Sequence, residues 1–564
     1  MRKFAQMKPI IYQMLPRLFG NRNAACVPCG TLETNGSGKF ADITNSTLRA
    51  IRSLGATHVW YTGVIEHAHR PDYTAYGIRR HNPHIIKGEA GSPYAITDYY
   101  DVDPDLATDP ARRMAEFEEL IERTHEQGLK VVLDFVPNHV GREYHSDSAP
   151  KGVRDLGSDD NPLAAFHPDN NFYYLPGQRF NPTNVHLGDY VEEPAKASGN
   201  DCFTPSPDRN DWYETVKLNY GVDYTGGTGC HFDPVPDTWH KMLHILRFWA
   251  RKGVDAFRCD MAFMVPVDFW RWAIPQVRRS RRGVQFIAEI YDVNLYQTFI
   301  DAGFDYLYDK VNLYDTLRAI EAHGVGADRL TGAWQTVGTM APHMLNFLEN
   351  HDEQRFASDF YAGRADRVLP SLVVASTFST GPMMIYFGQE LGERGMDAEG
   401  FSGRDGRTTI FDYWSLDKLR RWLAGGKPSG ANLTAEELAL RNMYMTVLNI
   451  ARTEKAITDG KFFDLMYVNY ESAGFDPHRQ FAYLRSHEGE TLVIAVNFGD
   501  TEADMRINLP RHAFDYLGLR ERECSATELI SGRKARKVVS STLPFTTKVA
   551  PHGAVIWKFV QKQK

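Results

Sequence analysis

Eight short runs of β-branched and aromatic residues recur through the first three quarters of this 564-residue chain, and longer amphipathic stretches separate them. The runs are PIIYQML near Ile10, THVWYTG near Val59, LKVVLDFV near Val132, VDAFR near Ala256, VQFIAE near Phe286, FDYLY near Tyr306, HMLNFLE near Asn346 and PMMIYFG near Ile385. In the intervening stretch DPARRMAEFEELIERTHEQG, Asp109 can cap and Pro110 suits the first turn, while Met114, Phe117, Leu120 and Ile121 share one face. Alternation of this kind predicts an α/β fold with parallel strands, and eight repeats predict a closed (β/α)8 TIM barrel.

The rest of the chain departs from that alternation in two places. Between the third strand and the helix pattern PDTWHKMLHILRFWARKG, residues 141–236 are rich in Gly, Pro, Asn, Asp and aromatics. The segment is too long for an ordinary loop and is expected to form an inserted irregular subdomain lining a cleft. After ANLTAEELALRNMYMTVLNIAR, the strand-like runs RQFAYLRS and TLVIAVNF flank HEGE, a hairpin turn signal, and GAVIWKFV alternates again. The expected organisation is a barrel over 1–140 and 237–452, the insertion over 141–236, and a C-terminal β-sandwich over 453–564.

Within the barrel, three apolar runs end on carboxylates: GVDAFRCD on Asp260, VQFIAEI on Glu289 and MLNFLENHD on Asp352. A carboxylate in an apolar setting must be paired, solvated or neutralised, so these positions point to a cleft. Barrel strands carry their chemistry at the carboxyl ends, where Asp134 also falls. Paired carboxyls there suit glycosidic bond cleavage, with one acid protonating the leaving oxygen and one carboxylate attacking the sugar. Arg258 lies two residues before Asp260, on the same strand face, and is expected to keep Asp260 ionised. Nearby carboxylates and partial burial are expected to keep Glu289 protonated.

Composition narrows the partners. A formal charge of -7 is spread along the chain, which gives no general attraction to nucleic acid or anionic membrane. The basic run RRSRR at 278–282 ends a helix pattern, where cations suit the carbonyl-rich terminus. No run approaches transmembrane length, and the N-terminus is positive but lacks a secretory apolar segment. The expected location is cytoplasmic, or secreted or periplasmic if a leader was removed. Cys26 and Cys29 form a lone CxxC without a second pair or nearby histidines, expected as free thiols or one local bridge.

Four ordered motifs, LDFVPNH (Asp134, Asn138, His139), GVDAFRCD (Arg258, Asp260), FIAEI (Glu289) and FLENHD (Asn350, His351, Asp352), resemble the α-amylase family, glycoside hydrolase family thirteen. SPYAITDYY with Tyr94 and GPMMIYFGQE add to the likeness, which spans nearly the whole chain. The resemblance implies a retaining α-glucan hydrolase acting on α-1,4 bonds of maltooligosaccharides or starch. It implies Asp260 as nucleophile, Glu289 as general acid/base and Asp352 as transition-state stabiliser. Tyr94, His139, Arg258 and His351 would contact the sugar, and Asp134 and Asn138 would support the site. Alternatives are a transglycosylase, glucosidase or isomerase such as a trehalose synthase, and a catalytically inactive binding subunit, which would lack the carboxylates kept here.

Two departures bear on cofactor and substrate. Calcium-binding relatives continue the nucleophile motif into Lys-His, whereas this chain reads DMAFMVP, with Met261, Phe263 and Met264 expected in the core. Only Asn138 matches the calcium ligands, so no cofactor is expected. Ala95 follows Tyr94 where family glucosidases carry a pocket-closing Asp, which predicts an open cleft and internal cleavage unless the long segment from Ile65 to Ser92 folds over the cleft and restores a pocket.

Overall fold

The computed structural model describes residues 8–561; the basic N-terminal residues 1–7 and the last three of the expected sandwich lie outside them. Eight parallel strands, β1 (Ile10–Met14), β2 (His58–Tyr61), β3 (Lys130–Phe135), β4 (Ala256–Cys259), β5 (Gln285–Ala288), β6 (Tyr306–Tyr308), β7 (Met344–Leu345) and β8 (Met383–Tyr386), form one sheet. Their spatial order follows the chain from β1 to β7, with β8 beside β1. A parallel bridge between Asn346 and Met383 closes the ring. All eight sequence runs become strands because each is buried on both faces, the condition of a parallel sheet under a helical layer.

The helices meet the same rule. The helix Arg113–Glu126 buries Phe117, Leu120 and Ile121, and the preceding turn is capped by Asp109, whose carboxylate accepts from the Ala111 N–H at 3.0 Å. Helix Ala435–Thr453, which follows β8, opens with a Thr434–Glu437 capping box. Within the RRSRR run, Arg278 pairs with Asp305, and Arg281 pairs with Asp255 and donates to the Val254 carbonyl, while Arg279 and Arg282 are exposed.

Residues between β3 and the helix Asp237–Arg251 form short two-stranded sheets, one of which pairs His139–Gly141 with Thr215–Lys217. Their small separate core joins Leu175, Phe180, Tyr190 and Tyr213 with Ile85 from the segment after β2. Beyond the barrel, β9 (Lys461–Asp464), β10 (Gln480–His487), β11 (Glu490–Asn497), β12 (Ala503–Ile507), β13 (Arg522–Glu528), β14 (Lys534–Val539), β15 (Phe545–Val549) and β16 (Gly553–Val560) form a six-stranded sheet and the pair β12–β15. HEGE is the β10–β11 turn, with Glu488 and Gly489 at positive φ. All six cysteines are free, including Cys26 and Cys29.

Candidate active site

The strand ladder continues one residue past β4 and β5, and this fixes the two carboxylates. The Asp260 N–H donates to the Phe135 carbonyl at 2.9 Å, and the Glu289 N–H to the Cys259 carbonyl at 3.1 Å. Asp352 is set differently. The Asn350 side-chain oxygen accepts from the backbone N–H of Asp352 and of Glu353, both at 2.9 Å, and this turn carries the Asp352 carboxylate into the cleft. All three line one cleft of about 780 Å³ at the carboxyl ends of the strands.

Arg258 ties the acids together beneath the floor. It stands directly across from Asp134 in the β3–β4 register and is fully buried. Its Nη1 lies 2.7 Å from Asp260 Oδ1 and 3.3 Å from Asp134 Oδ1, and its Nη2 lies 2.8 Å from Glu289 Oε2. Tyr308 accepts from Nε at 3.2 Å. The spacing on β4 predicted a partnership with Asp260 alone; the guanidinium in fact serves three carboxylates, because β3, β4 and β5 are adjacent.

One fixed charge among that many acids cannot keep them all ionised. Burial pushes the Asp260 carboxyl up, while Arg258 pulls it down and a hydrogen bond with the Glu289 carboxyl lowers it further. Burial also pushes Glu289 up; Arg258 opposes this, and the charge of Asp260 adds to it. Hydrogen bonds donated by Tyr291 and by the Met261 N–H also oppose the rise of Glu289, so both acids stand above the ordinary carboxylate range beside one guanidinium. Asp134 rises to about 7 through burial, against Arg258 and an indole N–H donated by Trp60 at 2.8 Å. Asp352 is raised by burial and by Glu289, but a third of its side chain meets the open cleft, so solvent tempers the effect.

Of the expected sugar contacts, Tyr94 and His139 line the cleft. Arg258 and His351 do not: with 0% and 1% exposure they lie under the floor and act through their partners. Gln13 Nε2 donates to His351 Nδ1 at 2.8 Å, leaving Nε2 to face the Tyr94 hydroxyl at 2.5 Å and Asp352 Oδ2 at 3.1 Å. Burial holds His351 neutral, and the Tyr94 ring stacks on it with centroids 5.3 Å apart. His139 is likewise neutral, with its pKa pushed down to about 4 by burial.

Three further positions that line the cleft were not marked by the sequence. Met261, expected in the core, lines the cleft in a left-handed conformation, and its N–H donates to Glu289 Oε2 at 2.7 Å. The Tyr291 hydroxyl donates to Glu289 Oε1 at 2.5 Å. Trp212, from the insertion, packs its ring 5.2 Å from His139. A Glu-x-Tyr spacing past a strand end was the one available signal for Tyr291; the other two depend on backbone geometry and on a distant segment.

Asn138 does not stand ready for calcium. Its side-chain oxygen accepts from the ammonium of Lys217 at 2.6 Å, and that ammonium pairs with Asp201 at 2.5 Å. Lys217 is 2% exposed. An internal cation thus fills the place between Asn138 and the insertion, and the donor set fits an ammonium rather than a metal.

Ala95 also differs from expectation. It is buried against Ala68 and Ile86 and does not face the cleft, so its small size opens nothing there.

The comparisons with known proteins bear on this geometry. A family model described as the α-amylase catalytic domain matches residues 13–289, the stretch that carries β2 to β5 with Asp134, Arg258, Asp260 and Glu289. The chain belongs to the α-amylase family. It is 24% identical over 467 residues to α-amylase MalA of Haloarcula japonica, covering 81% of this chain and 52% of that protein. It is also 24% identical over 471 residues to α-amylase 3 of Dictyoglomus thermophilum, covering 79% and 82% respectively. Among solved structures, a maltogenic α-amylase AmyB from Thermotoga neapolitana superposes with a TM-score of 0.63 at 20% identity, over 98% of this chain and 99% of that one. That likeness is one of fold. Among the described residues, no helix is long and apolar enough to cross a membrane.

Proposed function

We propose that this α-amylase family member is a retaining hydrolase of α-1,4-glucosidic bonds in maltooligosaccharides and starch. The observation that carries the reading is the Asp260–Glu289 pair held by the two terminal nitrogens of one buried guanidinium. Carboxyls bridged by one guanidinium suit the narrow spacing at which one of them attacks the sugar, rather than the wider spacing that inversion needs for a water. Glu289 protonates the glycosidic oxygen as the C1–O bond breaks, and Asp260 Oδ attacks C1 to form a glycosyl ester. Glu289, now ionised, then takes a proton from the water that displaces Asp260 at C1. Asp352 and Tyr94 meet the distorted ring between these steps.

Proton NMR of the first product from maltoheptaose tests the reading. The expected product is the α-anomer of a shorter oligosaccharide. An initial β-anomer would overturn the double displacement, and products longer than the substrate would move the enzyme to transglycosylation, which shares the ester.

The Lys217 geometry supports a second part of the proposal, that activity needs no calcium. Protein dialysed against EDTA should keep its activity and melting temperature. Lys217→Met should cost about 1.5–3 kcal/mol of stability, toward the low end because Asp201 is partly exposed. Activity lost to EDTA and restored by calcium would contradict this.

A further inference from the structure

Cleavage sites in a chain are set by where the cleft ends, and part of the wall of this cleft is built up by three separate elements. After β2, Lys87 and Gly88 line the cavity together with Phe411 and Asp412, from the loop after β8, and Glu214 from the insertion. The Lys87 ammonium pairs with Glu214 Oε1 at 2.8 Å, and the Glu214 side chain is 4% exposed. On the other side, the Ala90 N–H donates to the Phe411 carbonyl at 2.8 Å and the Glu89 N–H to Asp412 Oδ1 at 3.0 Å.

The contact is too tight to be incidental. Gly88 has φ +65°, and a Cβ there would stand 2.3 Å from the Phe411 carbonyl oxygen, so only glycine lets the two backbones meet. The same segment is anchored further out. The Asn82 N–H donates to Glu143 at 2.7 Å, its side chain donates to Asp189 at 2.9 Å, and Ile85 sits in the core of the insertion. Residues 82–90 are thus fastened to the β8 loop at one end and to the insertion at the other.

The barrel order says which end of a bound glucan this wall faces. In a closed ring of eight, β5 lies opposite β1, and β1 is flanked by β2 and β8. On the proposed mechanism, Glu289 at the end of β5 must stand beside the leaving oxygen, so the departing portion lies on that side, past Tyr291. The retained sugars then extend toward the opposite rim, where the β2 and β8 loops meet. We infer that this wall, locked by the Lys87–Glu214 pair, ends the cleft on the glycone side, so that the enzyme works inward from the non-reducing ends of α-glucan chains. Lys87 and Glu214 are specificity-determining residues in this arrangement, and the inference rests on Glu289 being the acid.

Maltoheptaose whose non-reducing 4- and 6-hydroxyls carry an ethylidene block tests it against free maltoheptaose, both labelled at the reducing end. Wild-type enzyme should give a single labelled size at early times from the free substrate, and kcat/KM on the blocked substrate should fall by about a hundredfold. The Lys87→Ala, Glu214→Ala double variant removes both charges together, so that neither is left buried alone. It should raise the blocked-to-free ratio by about tenfold. Equal wild-type rates on the two substrates, with a ladder of labelled products, would overturn the wall while leaving the hydrolase reading intact. If neither heptaose were cut, the reading beneath the wall would fail and the wall with it. The wild-type comparison stands even if the double variant does not fold.

Discussion

Replacing Asp260 with Asn should lower the turnover of maltoheptaose by about 10⁴-fold or more, because on the proposed mechanism the group that attacks C1 loses its charge and nucleophilicity. The change is nearly isosteric. Arg258 keeps Asp134 and Glu289 as partners, so its guanidinium is not left alone in the core, and the variant should fold. Tyr94, His139 and Trp212 still line the cleft, so the affinity for maltooligosaccharide should survive. Calorimetric titration with maltoheptaose beside a turnover assay separates the two effects. A variant that bound and still turned over near the wild-type rate would show that the nucleophile lies elsewhere; one that lost both binding and secondary structure would show that Asp260 is chiefly structural.

The charge balance on which the proposed role of Asp260 rests also costs the fold something. A carboxyl whose folded pKa lies above its unfolded one binds more protons when folded over the interval between them, so its contribution to stability falls as pH rises through that interval. Asp134, raised to about 7, and Asp260 and Glu289, also raised, are all of this kind. Stability surrendered above the ordinary carboxylate range is the counterpart of a site that gathers these acids beside one guanidinium.

What the sequence made legible follows the range of the interactions involved. Short runs dominated by apolar residues declare themselves, because burial on both faces leaves little room for polar side chains; hence all eight barrel strands were readable, and the carboxylates that break the pattern at Asp260 and Glu289 stood out. Arg258 was readable as a neighbour of Asp260 on one strand, but its reach to Glu289 depends on the packing of adjacent strands. Lys217 lies 79 residues from Asn138, and nothing local marks it as the cation that side chain will meet. Ala95 was misleading for a related reason. A side chain's size predicts an opening only if it faces the cleft, and Ala95 faces Ile86 instead. The wall from Lys87 to Ala90 is assembled from three segments more than 100 residues apart in places, with Gly88 its one local signature.

Glu289→Gln should separate the two halves of the reaction. Departure of a glucose hydroxyl needs a proton, so turnover of maltoheptaose should fall by about 10²–10⁴-fold. An α-maltosyl fluoride has a leaving group that needs no protonation, so formation of the ester with Asp260 should be much less affected on that substrate. The second half still needs a base to activate water, and Gln cannot supply it. Azide attacks C1 without giving up a proton, so adding it should restore turnover of the fluoride and yield an α-glycosyl azide, which would place the ester and the inversion at each step together. The pH profile carries the sign. Wild-type activity should fall at high pH as Glu289 loses its proton, and that limb should lie above the ordinary glutamate range because burial raises the group. It should fall at low pH as Asp260 gains one, also above the ordinary range. For ester formation from the fluoride by Glu289→Gln, the alkaline limb should disappear while the acid limb remains. If the alkaline limb stayed where it was, or azide gave no glycosyl azide, the acid would have to be sought in another group facing the cleft, with Asp352 the first to examine.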